Sequence, residues 1–175
     1  MQVFLIRHPQ PLIDLGICYG RLDVDCVDPH PVAAQIRPQL PEGTPVFSSP
    51  LQRARRLAEA IHHEVEFDAR LAEIHFGEWE GQPWDSIDRA LLDAWANDIL
   101  RFTPPGGEPV ARLQARVVDF VSSLRERNLP RVALVTHAGV IRTLLAHFRQ
   151  LSYPEWTKLK IDFGSVTLLE IEPSV

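Results

Sequence analysis

Two histidines stand at the ends of apolar runs that read as buried strands: His8 follows Val3-Phe4-Leu5-Ile6-Arg7, and His137 follows Val132-Ala133-Leu134-Val135-Thr136. Open α/β sheets build ligand sites at the carboxyl ends of their strands, so both imidazoles are delivered to one region. A neutral imidazole is a good nucleophile toward phosphorus, and Arg7 beside it would both depress its pKa and neutralise phosphoryl oxygens. Arg53, one turn into a helix that starts near Ser49, lies close to the positive end of the helix dipole, where an anion-binding side chain belongs. His137, just ahead of another helix, can present a donor to the same anion. This set points to phosphoryl transfer, which also needs a general acid to protonate the leaving alkoxide. Carboxyl candidates cluster between Leu71 and Gly81, and spacing does not choose among Glu73, Glu78 and Glu80.

The elements that must position these groups follow from periodicity. Strands are expected near 2–8, 45–48, 64–68, 131–136 and 164–171, from β-branched or continuous apolar character. Ser49-Pro50-Leu51-Gln52 reads as a helix start with Ser49 as N-cap, and Leu51, Ala54, Leu57, Ala58 and Ile61 then share one face to about residue 62. Further helices are expected from Trp84 to about Leu100, from about Pro109 to Arg127 with Leu113, Val117, Phe120, Val121 and Leu124 inward, and onward from Ala138. The stretch around His75 alternates polar and apolar residues in a strand-like way and then turns. Alternating strands and helices predict an α/β sandwich with a largely parallel sheet. The proline- and glycine-bearing segments 9–45 and 101–110 read as surface loops, and Cys18-Tyr19-Gly20-Arg21-Leu22-Asp23 within the first is a candidate substrate wall, with Tyr19, Gly20 and Arg21 its candidate binding residues.

The 175 residues are 45% hydrophobic, enough for one sizeable core, and no composition shift divides them, so a single domain over 1–175 is expected. A net charge of -5 argues against broad nucleic-acid or anionic-membrane binding, which needs an excess of Lys and Arg over an extended face. Arg7 interrupts the first apolar stretch far short of a signal-peptide core or a membrane span, so a cytoplasmic protein is expected, as monomer or homodimer. Cys18 and Cys26 form no zinc or disulfide pattern and read as small packing residues.

Five motifs in order carry a family resemblance: Leu5 to His8, Ser48 to Ala54, Glu73 to Gly81, Pro105 to Glu108 and Val135 to Gly139. Together they resemble the histidine phosphatase superfamily in its phosphoglycerate mutase-like branch. The resemblance implies a three-layer α/β/α sandwich and a phosphomonoesterase that works without metal or cofactor on a small-molecule phosphate ester. It implies that His8 becomes the phosphohistidine, that Arg7, Arg53 and His137 complete the phosphate pocket with Ala138 beside them, and that Glu73 is the proton donor and later activates water.

Pro9 stands where the family usually has glycine; it has no N–H to donate, although its carbonyl could still orient the imidazole. Arg-His-x-x-Pro and the stretch Tyr19 to Val24 are similar to the α-ribazole phosphatase-like members, which implies α-ribazole 5'-phosphate as a substrate. Pro31, Pro38 and Pro41 confine the helix expected before residue 45 to a turn or two. A mutase of the phosphoglycerate type is the alternative, disfavoured because those enzymes carry a longer insertion between the Trp-Glu-Gly and Pro-Gly-Gly-Glu motifs; a non-catalytic phosphate-binding module is the other. Several residues read as structural. His62 and His63 diverge on a helix and make a poor metal pair, and His75 belongs to the structure or the pocket rim. Asp23, Asp25 and Asp28 lack the rest of a calcium loop, Glu108 reads as a helix N-terminal charge, and Trp79, Trp84, Trp95 and Trp156 fill packing positions.

Overall fold

The computed structural model describes residues 1–172; residues 173–175 of the expected domain lie outside the described residues. In chain order the elements are β1 (Gln2–Arg7), α1 (His30–Ile36), β2 (Val46–Ser48), α2 (Gln52–Ile61), β3 (Val65–Phe67), α3 (Arg89–Asn97), α4 (Val110–Glu126), β4 (Arg131–Thr136), α5 (Ala138–Phe148), α6 (Tyr153–Trp156) and β5 (Val166–Glu170). The sheet runs β3-β2-β4-β1-β5, parallel except for β5, which pairs antiparallel with β1.

Side chains alternate across a strand, and here both faces are covered. Val3, Leu5, Val132 and Leu134 pack with Leu113, Val117 and Phe120 of α4 and Ile141 and Leu144 of α5. Phe4, Ile6, Ala133 and Val135 face the other way onto Ala33 and Ile36 of α1 and Ala54, Leu57 and Ala58 of α2. This is the three-layer α/β/α sandwich, with a core on each side of the sheet.

The register decides where the chemistry sits. Arg7 pairs with Thr136 at the last rung of β1 and β4, so His8 and His137 leave the sheet side by side, and the His8 N–H still donates to the Thr136 carbonyl (3.0 Å). Ser48 pairs with Val135, which brings Ser49 and the start of α2 to the same end.

Three local expectations need correction. Ser49 is not the N-cap residue of α2: the helix begins at Gln52, whose N–H donates to Asp23 Oδ1 (2.7 Å) across the loop, while the Ser49 hydroxyl accepts the Leu51 N–H (3.3 Å) and pairs with His137. The expected helix from Trp84 to Leu100 is a 3₁₀ turn at Trp84–Ser86, a break, and then α3, because the Asp88 carboxylate accepts the Ala90 N–H (2.8 Å) and starts a new helix. The stretch around His75 is not a strand: it is an irregular run between 3₁₀ turns at Ala69–Leu71 and Gly77–Trp79. The helix expected before residue 45 is the short α1, followed by a 3₁₀ turn at Arg37–Gln39.

The irregular run satisfies its backbone through side chains of other elements. Arg116 Nη1 donates to the carbonyls of Arg70 (2.6 Å) and Ala72 (2.7 Å), and Arg116 Nη2 to that of Glu73 (3.0 Å). Between them the Thr136 hydroxyl donates to the Leu71 carbonyl (2.7 Å), with Thr136 fully buried. Thr136→Val keeps the shape and leaves that carbonyl unpaired, so we expect a loss of about 1–3 kcal/mol of stability in urea unfolding. An unchanged midpoint would show that the Leu71 carbonyl does not depend on Thr136.

Candidate active site

His8 and His137 are almost wholly buried, at 1% and 0% exposure, with ring centroids 5.1 Å apart. His8 Nδ1 lies 2.6 Å from the Pro9 carbonyl, an acceptor only, so Nδ1 carries the proton and Nε2 keeps its lone pair. Burial first, then the charges of Arg53 and Arg7, push the His8 pKa down to about 3 against the pull of that carbonyl. His137 is lowered as well, by burial and then by Arg53, His8, Arg116 and Arg7. Both imidazoles are therefore neutral at pH 7.

Arg53 is fully buried; Nη1 donates to the Leu22 carbonyl (2.8 Å) and Nη2 to that of Gly20 (2.6 Å). Arg7 Nη1 donates to the Ile161 carbonyl (2.6 Å). Desolvation lowers the pKa of both, opposed by Tyr19 and Glu73. Among the described residues neither guanidinium has a carboxylate within salt-bridge distance, and three buried nitrogens, Arg7 Nε, Arg53 Nε and His137 Nδ1, have no hydrogen-bond partner. A desolvated cluster of cations and imidazole nitrogens of this kind matches the charge and acceptor capacity of a phosphoryl group.

Of the three glutamates, Glu73 faces this cluster. Its Oε1 accepts the Ile74 N–H (3.0 Å) and its Oε2 the Gly139 N–H (3.1 Å), at the N-terminal turn of α5. Glu80 Oε1 instead accepts the N–H groups of Arg21 (2.8 Å) and Phe76 (2.9 Å), and Glu78 is exposed.

The candidate substrate loop divides. The Tyr19 ring lies 5.2 Å from the Arg53 guanidinium. Gly20 is in close contact, since a Cβ there would come within 2.5 Å of Glu80 Oε1 and of the Ile74 carbonyl. Arg21 turns into the protein, its Nε on the Glu73 carbonyl (3.2 Å) and its Nη2 on Glu108 Oε1 (3.2 Å). Ala138 opens α5 beside His137.

Glu108 stands just ahead of the N-terminus of α4, as expected, but it is buried. It is 4% exposed and accepts Arg116 Nη2 (2.7 Å), Arg21 Nη2 and the His75 N–H (3.1 Å). Burial would raise its pKa, but Arg116, Arg21 and the His75 amide outweigh that and hold it below the usual carboxylate range. Asp25 pairs with Arg56. Cys18 and Cys26 are buried and unpaired, and desolvation with Glu80 nearby pushes the Cys18 thiol up to about 12. Trp79, Trp84 and Trp95 form an aromatic cluster with Phe76 and Phe102.

Two residues at the site were not singled out from the sequence. Phe163 lays its ring 3.6 Å from the Arg7 guanidinium carbon and 5.6 Å from the His8 ring, and nothing in its neighbourhood signalled this. Arg116 did leave a signal: it falls at helical spacing between Leu113 and Phe120, a charge on the core-facing stripe of α4. Among the described residues no group of three or more His, Cys, Asp or Glu is placed to hold a metal ion, and no helix is long and apolar enough to cross a membrane.

The model of the histidine phosphatase superfamily, branch 1, matches residues 3–175. The chain belongs to that superfamily. It is 25% identical to "Putative phosphoserine phosphatase 2" of Hydrogenobacter thermophilus, over 98% of this chain and 90% of the relative. It is also 25% identical to "Adenosylcobalamin/alpha-ribazole phosphatase" of Escherichia coli, over 98% and 90%. The native structure of a mycobacterial glucosyl-3-phosphoglycerate phosphatase superposes with a TM-score of 0.82 at 26% identity, covering 95% of this chain and 88% of that one. The chain is a hydrolase of phosphate monoesters.

Two predictions follow from this geometry. The folded pKa values of His8 and His137 lie below the unfolded value of about 6.5, so the unfolded chain binds more protons under acid conditions and stability falls as pH drops below about 6.5. Near pH 5 the slope should approach about 1.4 kcal/mol per pH unit for each of the two histidines, measured by urea unfolding between pH 7 and 5; a flat profile would contradict their neutral burial. Gly139 sits where a Cβ would come 2.3 Å from Glu73 Oε1. Gly139→Ala favours the helix by about 0.5–1 kcal/mol, yet by displacing the carboxylate it should lower turnover on the order of 10²-fold. Wild-type rates in that variant would show that the carboxylate's seat on Gly139 is immaterial.

Proposed function

We propose that the chain is a single-domain phosphomonoesterase over residues 1–175 that works through a phosphohistidine on His8. The observation that carries this reading is the Nδ1–Pro9 hydrogen bond, which leaves a neutral Nε2 beside the buried cations. In the first step Nε2 attacks phosphorus while Arg7, Arg53 and His137 hold the equatorial oxygens. The bond from phosphorus to the ester oxygen breaks, and Glu73, protonated, gives its proton to the departing alkoxide. In the second step Glu73 takes a proton from water as that water attacks phosphorus, the N–P bond breaks, and phosphate leaves. Tyr19 and Ala138 border the phosphate, while Gly20 and Arg21 act by holding Arg53 and Glu73 in place.

For the alcohol, α-ribazole 5'-phosphate is the specific substrate we propose. The Arg7-His8-Pro9-Gln10-Pro11 run and the stretch Tyr19 to Val24 support it, together with the relative named for that activity. A cytoplasmic setting fits the two unpaired thiols.

The test combines rapid quench with two variants. Radiolabelled ester should leave an acid-labile phosphate on His8, and His8→Ala should abolish both label and turnover; label elsewhere sinks the mechanism. In single-turnover phosphorylation of His8, Glu73→Gln should slow an alkyl ester on the order of 10²- to 10⁴-fold and p-nitrophenyl phosphate far less, since p-nitrophenolate departs without a proton. Equal slowing of both esters would remove Glu73 from the role of acid.

A further inference from the structure

The two N–H groups that hold the Glu73 carboxylate belong to Ile74 and Gly139, and those same residues form part of the wall of a cavity of about 280 Å³. The rest of the wall comes from the irregular run and from α3, α4, α5 and α6, and it is dominated by Phe76, Trp95, Ile99, Val110, Leu113 and Trp156. A second hollow of about 130 Å³ shares Val110, Thr143 and Trp156 with the first and reaches Leu100 and Leu151. Among the described residues one charged side chain, Arg142, borders the larger cavity; its Nε donates to the Leu159 carbonyl (3.0 Å), and its charge lies close enough to Arg7 to lower that group's pKa. Arg142 thus links the cavity wall electrostatically to the phosphate cluster, although Arg7, His8, Arg53, Glu73 and His137 do not themselves line the cavity.

We propose that this cavity is the leaving-group subsite, and that the enzyme selects phosphate esters whose alcohol carries an apolar chain or an aromatic ring. The proposal rests on the reading of the site as a phosphomonoesterase. With phosphorus held among Arg7, Arg53 and His137, the ester oxygen must reach Glu73 to receive its proton. The carbon bonded to that oxygen points away from phosphorus, and beyond Glu73 lies the wall formed by Ile74 and Gly139. An apolar substituent gains there by leaving water. A charged one gives up hydration for a wall with few partners.

Unbranched alkyl phosphates from ethyl to hexyl test this directly. The departing alkoxides differ little in proton affinity, so the acid works equally on each and the trend reports burial. We expect kcat/KM to rise about fourfold per added methylene, the equivalent of about 0.8 kcal/mol per buried CH₂, and butyl phosphate to exceed phosphoserine and 3-phosphoglycerate. Ile99→Glu, with its fold checked by circular dichroism and melting, should flatten the series. A flat series in the wild type, or a preference for the carboxylate-bearing esters through Arg142, overturns the subsite while leaving the phosphatase reading intact. Turnover of no ester overturns the phosphatase reading instead. Titration with 1-hexanol separates the two cases: saturable quenching of tryptophan fluorescence, retained in His8→Ala, supports the apolar site independently of turnover, and its absence overturns it.

Discussion

A buried guanidinium is tolerable only when the structure around it supplies what water no longer does, and the arrangement of this site starts from Arg53. Its two terminal nitrogens donate to the Gly20 and Leu22 carbonyls while Nε stays without a partner, so the long loop after β1 must fold back over α2. Asp23 in the same loop caps that helix at Gln52, which fixes the base of Arg53 as firmly as its tip. From Gly20 the connections continue outward: Arg21 reaches Glu108, Glu108 binds Arg116, and Arg116 holds the carbonyls of Arg70, Ala72 and Glu73. Arg53 and Glu73 thereby belong to one network. Its members are fixed by hydrogen bonds rather than by a shared element of secondary structure.

The same burial sets the electrostatics of the histidines. Two imidazoles withdrawn from water next to two arginines stay neutral, because a third or fourth positive charge in that volume would be neither solvated nor paired. Neutrality alone does not make a nucleophile; the proton must also sit on the other nitrogen. Pro9 supplies this through its carbonyl, which accepts from Nδ1, while the N–H that proline lacks is not called on, since the rung to β4 is made by the N–H of His8 itself. A substitution that looks disruptive in the sequence therefore leaves the tautomer control in place.

The residues delivered by regular elements were legible in advance. Continuous apolar runs end at His8 and His137, and the period of α2 places Arg53 beside its buried face, so the phosphate cluster follows from patterns of two and of 3.6. What escaped the sequence lies where side chains of distant segments satisfy backbone groups. Ser49 looks like a cap, but its hydroxyl pairs with His137 as well as with the Leu51 N–H; Glu108 looks like a helix N-terminal charge and is also a buried ion-pair partner. The stretch around His75 alternates like a strand but runs free of the sheet, and the expected helix after Trp84 divides at Asp88. Such bonds join positions dozens of residues apart and leave no periodic trace. Arg116 is the partial exception, since an arginine on an apolar stripe already asks for a buried acceptor.

The irregularity of the segment that carries Glu73 is what allows its position. In a strand, the carbonyls of residues 70–73 would be committed to a neighbouring ladder and the side chains would alternate between two covered faces. Here four successive carbonyls are held by Arg116, Thr136 and Arg21, so the run can leave the plane of the sheet and cross the N-terminus of α5. That crossing requires the absence of a side chain at Gly139, where a Cβ would occupy the place of the carboxylate oxygen. It also leaves Glu73 at a boundary, with cations on one side and the apolar wall of Ile74, Phe76 and Val110 on the other. In the role proposed for it, Glu73 would bridge the two halves of a phosphate ester, the charged phosphoryl group and the alcohol to be released.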